Sequence, residues 1–144
     1  MKRFFYVSMF LFVLIFTACQ RRDVVSYENG TYRGMFADRG DIQVAVEYVL
    51  KDNKVEKISF RQLFHNGNNY RTEKDNDLVI KLRKQHEELI NYLAGKDIRT
   101  SLRDLYTPED IIKTEIDGLS GATVRSGKII SAINDGLNRG IYKY

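Results

Sequence analysis

Cysteine is almost absent from this chain of 144 residues: Cys19 is the only one. A single thiol excludes an internal disulfide, a cysteine-held iron–sulfur cluster and thiolate zinc binding, so the fold must rest on its core. Histidine is nearly as scarce. His86 sits beside Glu87 and Glu88 in the polar middle of a predicted helix and reads as part of a solvated face, and His65 stands alone, so no metal site is expected. Neither sign of charge dominates. The 23 Lys and Arg residues are scattered among 19 Asp and Glu, for a net +4, which does not describe a nucleic-acid-binding surface. Internal repeats, low-complexity tracts, nucleophile–base pairs and paired carboxylates are likewise not recognisable.

What the sequence does have begins at its front. Lys2 and Arg3 precede an apolar run from Phe4 to Phe16 broken only by Ser8, a length suited to secretion and short for a membrane span. The run ends in Phe16-Thr17-Ala18-Cys19, which resembles a bacterial lipoprotein signal: residues 1–18 would be removed and Cys19 would carry lipid. An uncleaved N-terminal anchor is the alternative, and both tether the protein at the extracytoplasmic face of a membrane. Loss of Lys2 and Arg3 lowers the formal charge to +2. Residues 19–26 are then a polar tether and residues 27–144 one small domain.

Periodicity divides that domain into strands followed by helices. Tyr27 to Tyr32 reads as a turn entering a first strand, with Gly34 as a bulge or close approach. Residues 41–50 alternate, with Ile42, Val44, Val46, Tyr48 and Leu50 on one face and Gln43, Ala45 and Glu47 on the other. After the turn Lys51-Asp52-Asn53-Lys54, Val55, Ile58 and Phe60 belong to a returning antiparallel strand. Residues 75–94 predict an amphipathic helix with Leu78, Leu82, Leu89 and Leu93 on its apolar stripe and Gly95 as its stop. A short helical segment carries Ile98, Leu102 and Leu105, and Thr107-Pro108-Glu109-Asp110 predicts a further helix start. The last helix carries Ile130, Ile133 and Leu137. Strands first and helices after predict an α+β domain, an antiparallel meander packed with C-terminal helices.

The stretch Asp117-Gly-Leu-Ser-Gly-Ala-Thr-Val-Arg-Ser-Gly-Lys128 enters that last helix. Ser120 is the expected N-cap, and unpaired backbone N–H groups with the helix dipole form an anion site to which Arg125 and Lys128 add charge. Gly121 and Ala122 remove bulk beside Thr123. A nucleotide P-loop does not fit, because Gly121 and Gly127 enclose five residues and Ile129 follows Lys128, which leaves no hydroxyl for magnesium.

Asp117-Gly-Leu-Ser-Gly-Ala-Thr123 with Ser126 resembles the motif of the FMN-binding domain family, which includes flavin-carrying subunits of sodium-pumping NADH:quinone reductase and Rnf-type complexes and many small lipoproteins. The opening "YENGTYRG" and the hairpin "IQVAVEYVLKDNKVEKISF" resemble the front of the same family, while 61–106 match it least. The resemblance implies FMN as cofactor, its phosphate esterified to Thr123 by a separate flavin transferase, with Asp117, Ser120, Gly121, Ala122, Arg125, Ser126 and Lys128 completing the site. Arg125 departs from the Ser or Thr that flavinylated relatives commonly carry, and as a phosphate partner it would favour non-covalent binding. Tyr32, Phe36, Phe64 and Tyr70 are expected near the flavin ring. The function implied is a membrane-tethered redox carrier rather than a stand-alone enzyme, serving a redox partner protein or quinone-linked complex. A flavin-free lipoprotein binding module is the alternative.

Overall fold

The computed structural model describes residues 25–65, 67–116, 119–120 and 125–144. The expected signal, Cys19 and most of the expected tether therefore lie outside the described residues. An antiparallel sheet in the order β1-β2-β3-β4 is built from Gly30–Asp38, Asp41–Lys51, Lys54–His65 and the short Asn68–Asn69. Asp52 and Asn53 close the β2–β3 hairpin at φ of 50° and 64°, the left-handed region that short polar side chains tolerate and that matches strand twist. The expected inward row holds: Val44, Val46, Tyr48 and Leu50 are all buried.

The returning strand is less regular than simple alternation. Val49 pairs with Lys57 but Leu50 with Val55, and Ala45 pairs with Gln62 but Val46 with Phe60. Each slip leaves one extra residue on β3, Glu56 and then Arg61, and resets its phase. That is how Val55, Phe60 and Leu63 all reach the core despite their uneven spacing.

After the sheet come α1 (Asp77–Asn91), α2 (Ile98–Ser101), two 3₁₀ turns (Leu102–Tyr106 and Pro108–Asp110), the ribbon β5–β6 (Glu115–Ile116 with Leu119–Ser120) and α3 (Ser126–Arg139). This is the expected α+β arrangement in a single domain. α1 is shorter than predicted because Asn76 caps it, accepting from the N–H groups of Leu78 and Val79 at 3.1 and 3.2 Å. Its core stripe is also rotated. Leu78 is half exposed, whereas Val79, Gln85, His86, Leu89 and Ile90 are buried. His86 thus corrects the expectation of a solvated face: it lies edge-on to Phe60 and Tyr70 and its Nδ1–H donates to the Leu82 carbonyl at 2.7 Å. The helix expected from Thr107 stops after one 3₁₀ turn, and the Thr107 hydroxyl donates back to the Asp104 carbonyl instead of capping forward.

α3 lies against β1 and β2 through Ile129, Ile130, Ala132, Ile133 and Gly136. It runs antiparallel to β1. Lys128 meets Gln43 and Phe36 near the far end of the hairpin, Gly136 lies by Arg33 and Tyr48, and Ile141 packs on Gly30. Tyr48 anchors the crossing, since its ring stacks on Tyr32 at 5.4 Å and its buried hydroxyl donates to the Ile133 carbonyl at 2.7 Å. Beyond α3 the chain follows the outer margin of β1, where Tyr142 N–H donates to the Thr31 carbonyl at 2.7 Å. Asp135 also accepts there from Met35 N–H.

Candidate functional site

The start of α3 is assembled from three parts of the chain. β1 contributes Phe36, next to the register slip that leaves Gln43 unpaired opposite Phe36 and Ala37. A bulged residue departs from the alternation of its strand. Gln43, read from sequence as outward-facing, accordingly accepts a hydrogen bond from Lys128 Nζ. The Lys128 ammonium also stands 5.6 Å from the centre of the Phe36 ring, at cation–π range.

α3 begins at Ser126 with Arg125 in the capping position, and no side chain at that position closes the first turn. This corrects the expectation for Ser120, which belongs to β6, paired with Glu115, and so cannot cap the helix. The physical reason is that Leu119 and Ser120 are taken up in pairing with Ile116 and Glu115, six or more residues before the helix begins at Ser126. Ser126 is buried, Arg125 is exposed and Lys128 is half-buried. Among the described residues neither Arg125 nor Lys128 has a carboxylate partner. Tyr70 lies close enough for the Arg125 charge to act on its hydroxyl, although burial dominates and holds that hydroxyl above the ordinary phenol range. Two cationic groups at the first turn of a helix, with no counter-ion among the described residues, suit an anion of phosphate type.

The chain leading into the site is clamped from α1. Glu88 accepts from the backbone N–H groups of Lys113 and Thr114 at 2.8 and 3.0 Å and from the Thr114 hydroxyl at 2.6 Å. The fully buried Gln85 donates to the Thr114 carbonyl at 2.8 Å. Burial raises the Glu88 carboxyl, but the hydrogen bonds from Thr114 and Lys113 outweigh it and hold the group below the usual glutamate range. The clamp ends one residue before β5. Sequence reasoning missed Gln43, Gln85 and Glu88, because nothing local marks a helix glutamate whose partners lie 25 and 26 residues away.

Of the predicted site, Asp117, Gly121, Ala122 and Thr123 lie outside the described residues; Arg125, Ser126 and Lys128 are brought together at the helix start. The aromatic expectations divide. Tyr32 and Tyr70 are core residues, with 2% and 7% exposure, and Tyr32 stacks on Tyr48 at the other end of β1, so neither offers a free ring face. Phe36 and Phe64 are partly buried, and Phe36 stands under Lys128. No group of His, Cys, Asp and Glu among the described residues could hold a metal ion. No helix among them is long and apolar enough to cross a membrane.

The family model for an FMN-binding domain matches residues 39–138, from the β1–β2 turn to the last turn of α3. No curated protein and no solved structure matches the chain.

Proposed function

The chain belongs to the FMN-binding domain family and has FMN as its cofactor, and on that premise we propose that it is a membrane-tethered, extracytoplasmic electron-transfer module. FMN supplies reversible one- or two-electron chemistry when bound. The observation that carries the reading is the first turn of α3, directly after the Asp117–Thr123 motif, where among the described residues no side chain caps the helix and neither Arg125 nor Lys128 has a carboxylate partner.

Within this reading, Lys128 and Arg125 balance the phosphate charge, the α3 N–H groups donate to its oxygens, and Phe36 gives an apolar surface beside it. Gln43 holds the Lys128 ammonium in position. Thr123 is the attachment point: its Oγ–P bond forms as the pyrophosphate of FAD is cleaved by a separate flavin transferase, AMP leaves, and the hydroxyl proton passes to solvent. The Phe4–Phe16 run and Cys19 support delivery across a membrane and retention by lipid. The electron partner is a redox protein or a quinone-linked complex.

Non-covalent FMN binding is the second reading, and the exposed Arg125 two residues after Thr123 favours it. Co-expression with a flavin transferase decides between them. The first reading expects a mass gain of FMN less one water on the peptide containing Ser120, Thr123 and Ser126, lost in Thr123→Ala. A protein that stays free of the adduct yet takes up FMN on dialysis overturns the covalent linkage.

A further inference from the structure

The sheet face turned away from α3 carries a groove that the flavin reading does not use. Its floor is a row across three strands, Met35, Ala45 and Gln62, which are neighbours in register. The methyl of Ala45 between two longer side chains makes the row concave. One wall is the C-terminal segment, where the Tyr142 ring is covered by the Arg33 guanidinium at 3.7 Å. The groove's volume of about 480 Å³ falls within the range of small-molecule sites.

The charges of this groove are one-sided. Arg33, Arg61, Arg139 and Lys143 line it and, among the described residues, no carboxylate does. Arg33 is neutralised by Glu47 at 2.5 Å and Arg139 by Asp135 at 2.9 Å. Arg61 and Lys143 have no carboxylate partner among the described residues. Arg61 is the extra residue of the second β3 slip, so its place in the groove comes from the bulge rather than from strand alternation. The negative end of α3 points to this side of the molecule, with Arg139 in its last turn.

We propose that this groove is a second binding site, for a small organic carboxylate with an apolar body. The body rests on Met35 and Ala45 beside the Tyr142 ring, and the carboxylate takes the charges of Arg61 and Lys143. Its Arg139 wall is separated from the start of α3 by the length of that helix, Ser126 to Arg139, about 20 Å at its rise per residue, while its floor at Met35 and Ala45 adjoins Phe36 and Gln43 along the strands. The inference does not depend on how FMN is held.

Naphthoate and its neutral counterpart naphthyl methanol test it, titrated into the whole protein and followed by amide NMR shifts. The expected result is saturable naphthoate binding with shifts at Met35, Ala45, Gln62 and Tyr142 and none at Ser126 or Lys128. Naphthyl methanol should bind at least about tenfold more weakly, since a charged hydrogen bond is lost. Arg61→Gln with Lys143→Gln should weaken naphthoate by about tenfold or more while leaving the alcohol and FMN binding unchanged. Equal affinity for acid and alcohol, an unchanged double variant, shifts centred on the start of α3, or no saturation at millimolar probe would each overturn the proposal.

Discussion

Gly34 of β1 and Gly136 of α3 face each other where helix and strand backbones cross. A Cβ on Gly34 would overlap the Ala132 carbonyl oxygen, and one on Gly136 would lie 2.7 Å from the Tyr48 hydroxyl oxygen. Backbone fills the space at Gly34, and at Gly136 the buried Tyr48 side chain, pinned by its bond to Ile133, fills it, so neither side can yield cheaply. Gly34→Ala is expected to lower stability by about 1–3 kcal/mol, as overpacking does. Gly127→Ala is the contrast: that glycine lies in the first turn of α3 with open space around it among the described residues. It should be neutral or stabilising by up to about 1 kcal/mol. Chemical denaturation of the two variants checks the sign of each.

Glu88 makes stability depend on acid. Its folded pKa is depressed, so it contributes stability above the unfolded carboxylate value of about 4.3, and that contribution disappears as the pH falls through the lower folded value. Glu88→Gln keeps the size and removes the charge, and should cost roughly 1 kcal/mol near neutrality after allowance for screening at a half-buried position. The gap between wild type and variant should close below about pH 4. A gap that is constant across the acid range would show that the carboxylate charge is not what holds Lys113 and Thr114.

Lys128→Gln should weaken non-covalent FMN binding by about tenfold and Arg125→Gln by less, because Arg125 is exposed and Lys128 is held by Gln43 over Phe36. Gln43→Ala should reproduce part of the Lys128 effect by loosening the ammonium. Flavin fluorescence quenching on titration with free FMN measures all three. Unchanged affinity in Lys128→Gln would move the phosphate away from the start of α3.

Cys19→Ala should block lipid attachment and leave either precursor that retains residues 1–18 or protein released from the membrane. Fractionation with metabolic labelling by a fatty acid reads this directly. A wild-type chain found at full length in the cytoplasm would refute the tether.

The parts of the fold legible in the sequence are those set by local chemistry. Asp52-Asn53 announced the hairpin, the alternation of Val44, Val46, Tyr48 and Leu50 gave the inward face of β2, and Gly34 was readable as a close approach. What escaped depends on contacts distant in the chain. The two slips in β3 are visible only when Leu50 is paired with Val55 and Val46 with Phe60. His86 looked solvated beside Glu87 and Glu88, yet Phe60 and Tyr70 enclose it from elements far away in sequence. Ser120 had the chemistry of a cap, but pairing with Glu115 took it into a ribbon and moved the helix start to Ser126. At the site, the cations Arg125 and Lys128 were legible by their spacing before a helix, whereas Gln43 required the bulge to be seen first.

The margin of β1 has a bearing on how the protein behaves in a crowded solution. A sheet border with vacant main-chain groups recruits strands from other molecules. Here Thr31 is occupied by Tyr142 and Met35 by Asp135, so part of that border is closed by the chain's own terminal segment and helix. Removing residues 140–144 would reopen the Thr31 carbonyl and strip Ile141 from Gly30, turning a sealed border into a seed for strand-by-strand polymerisation.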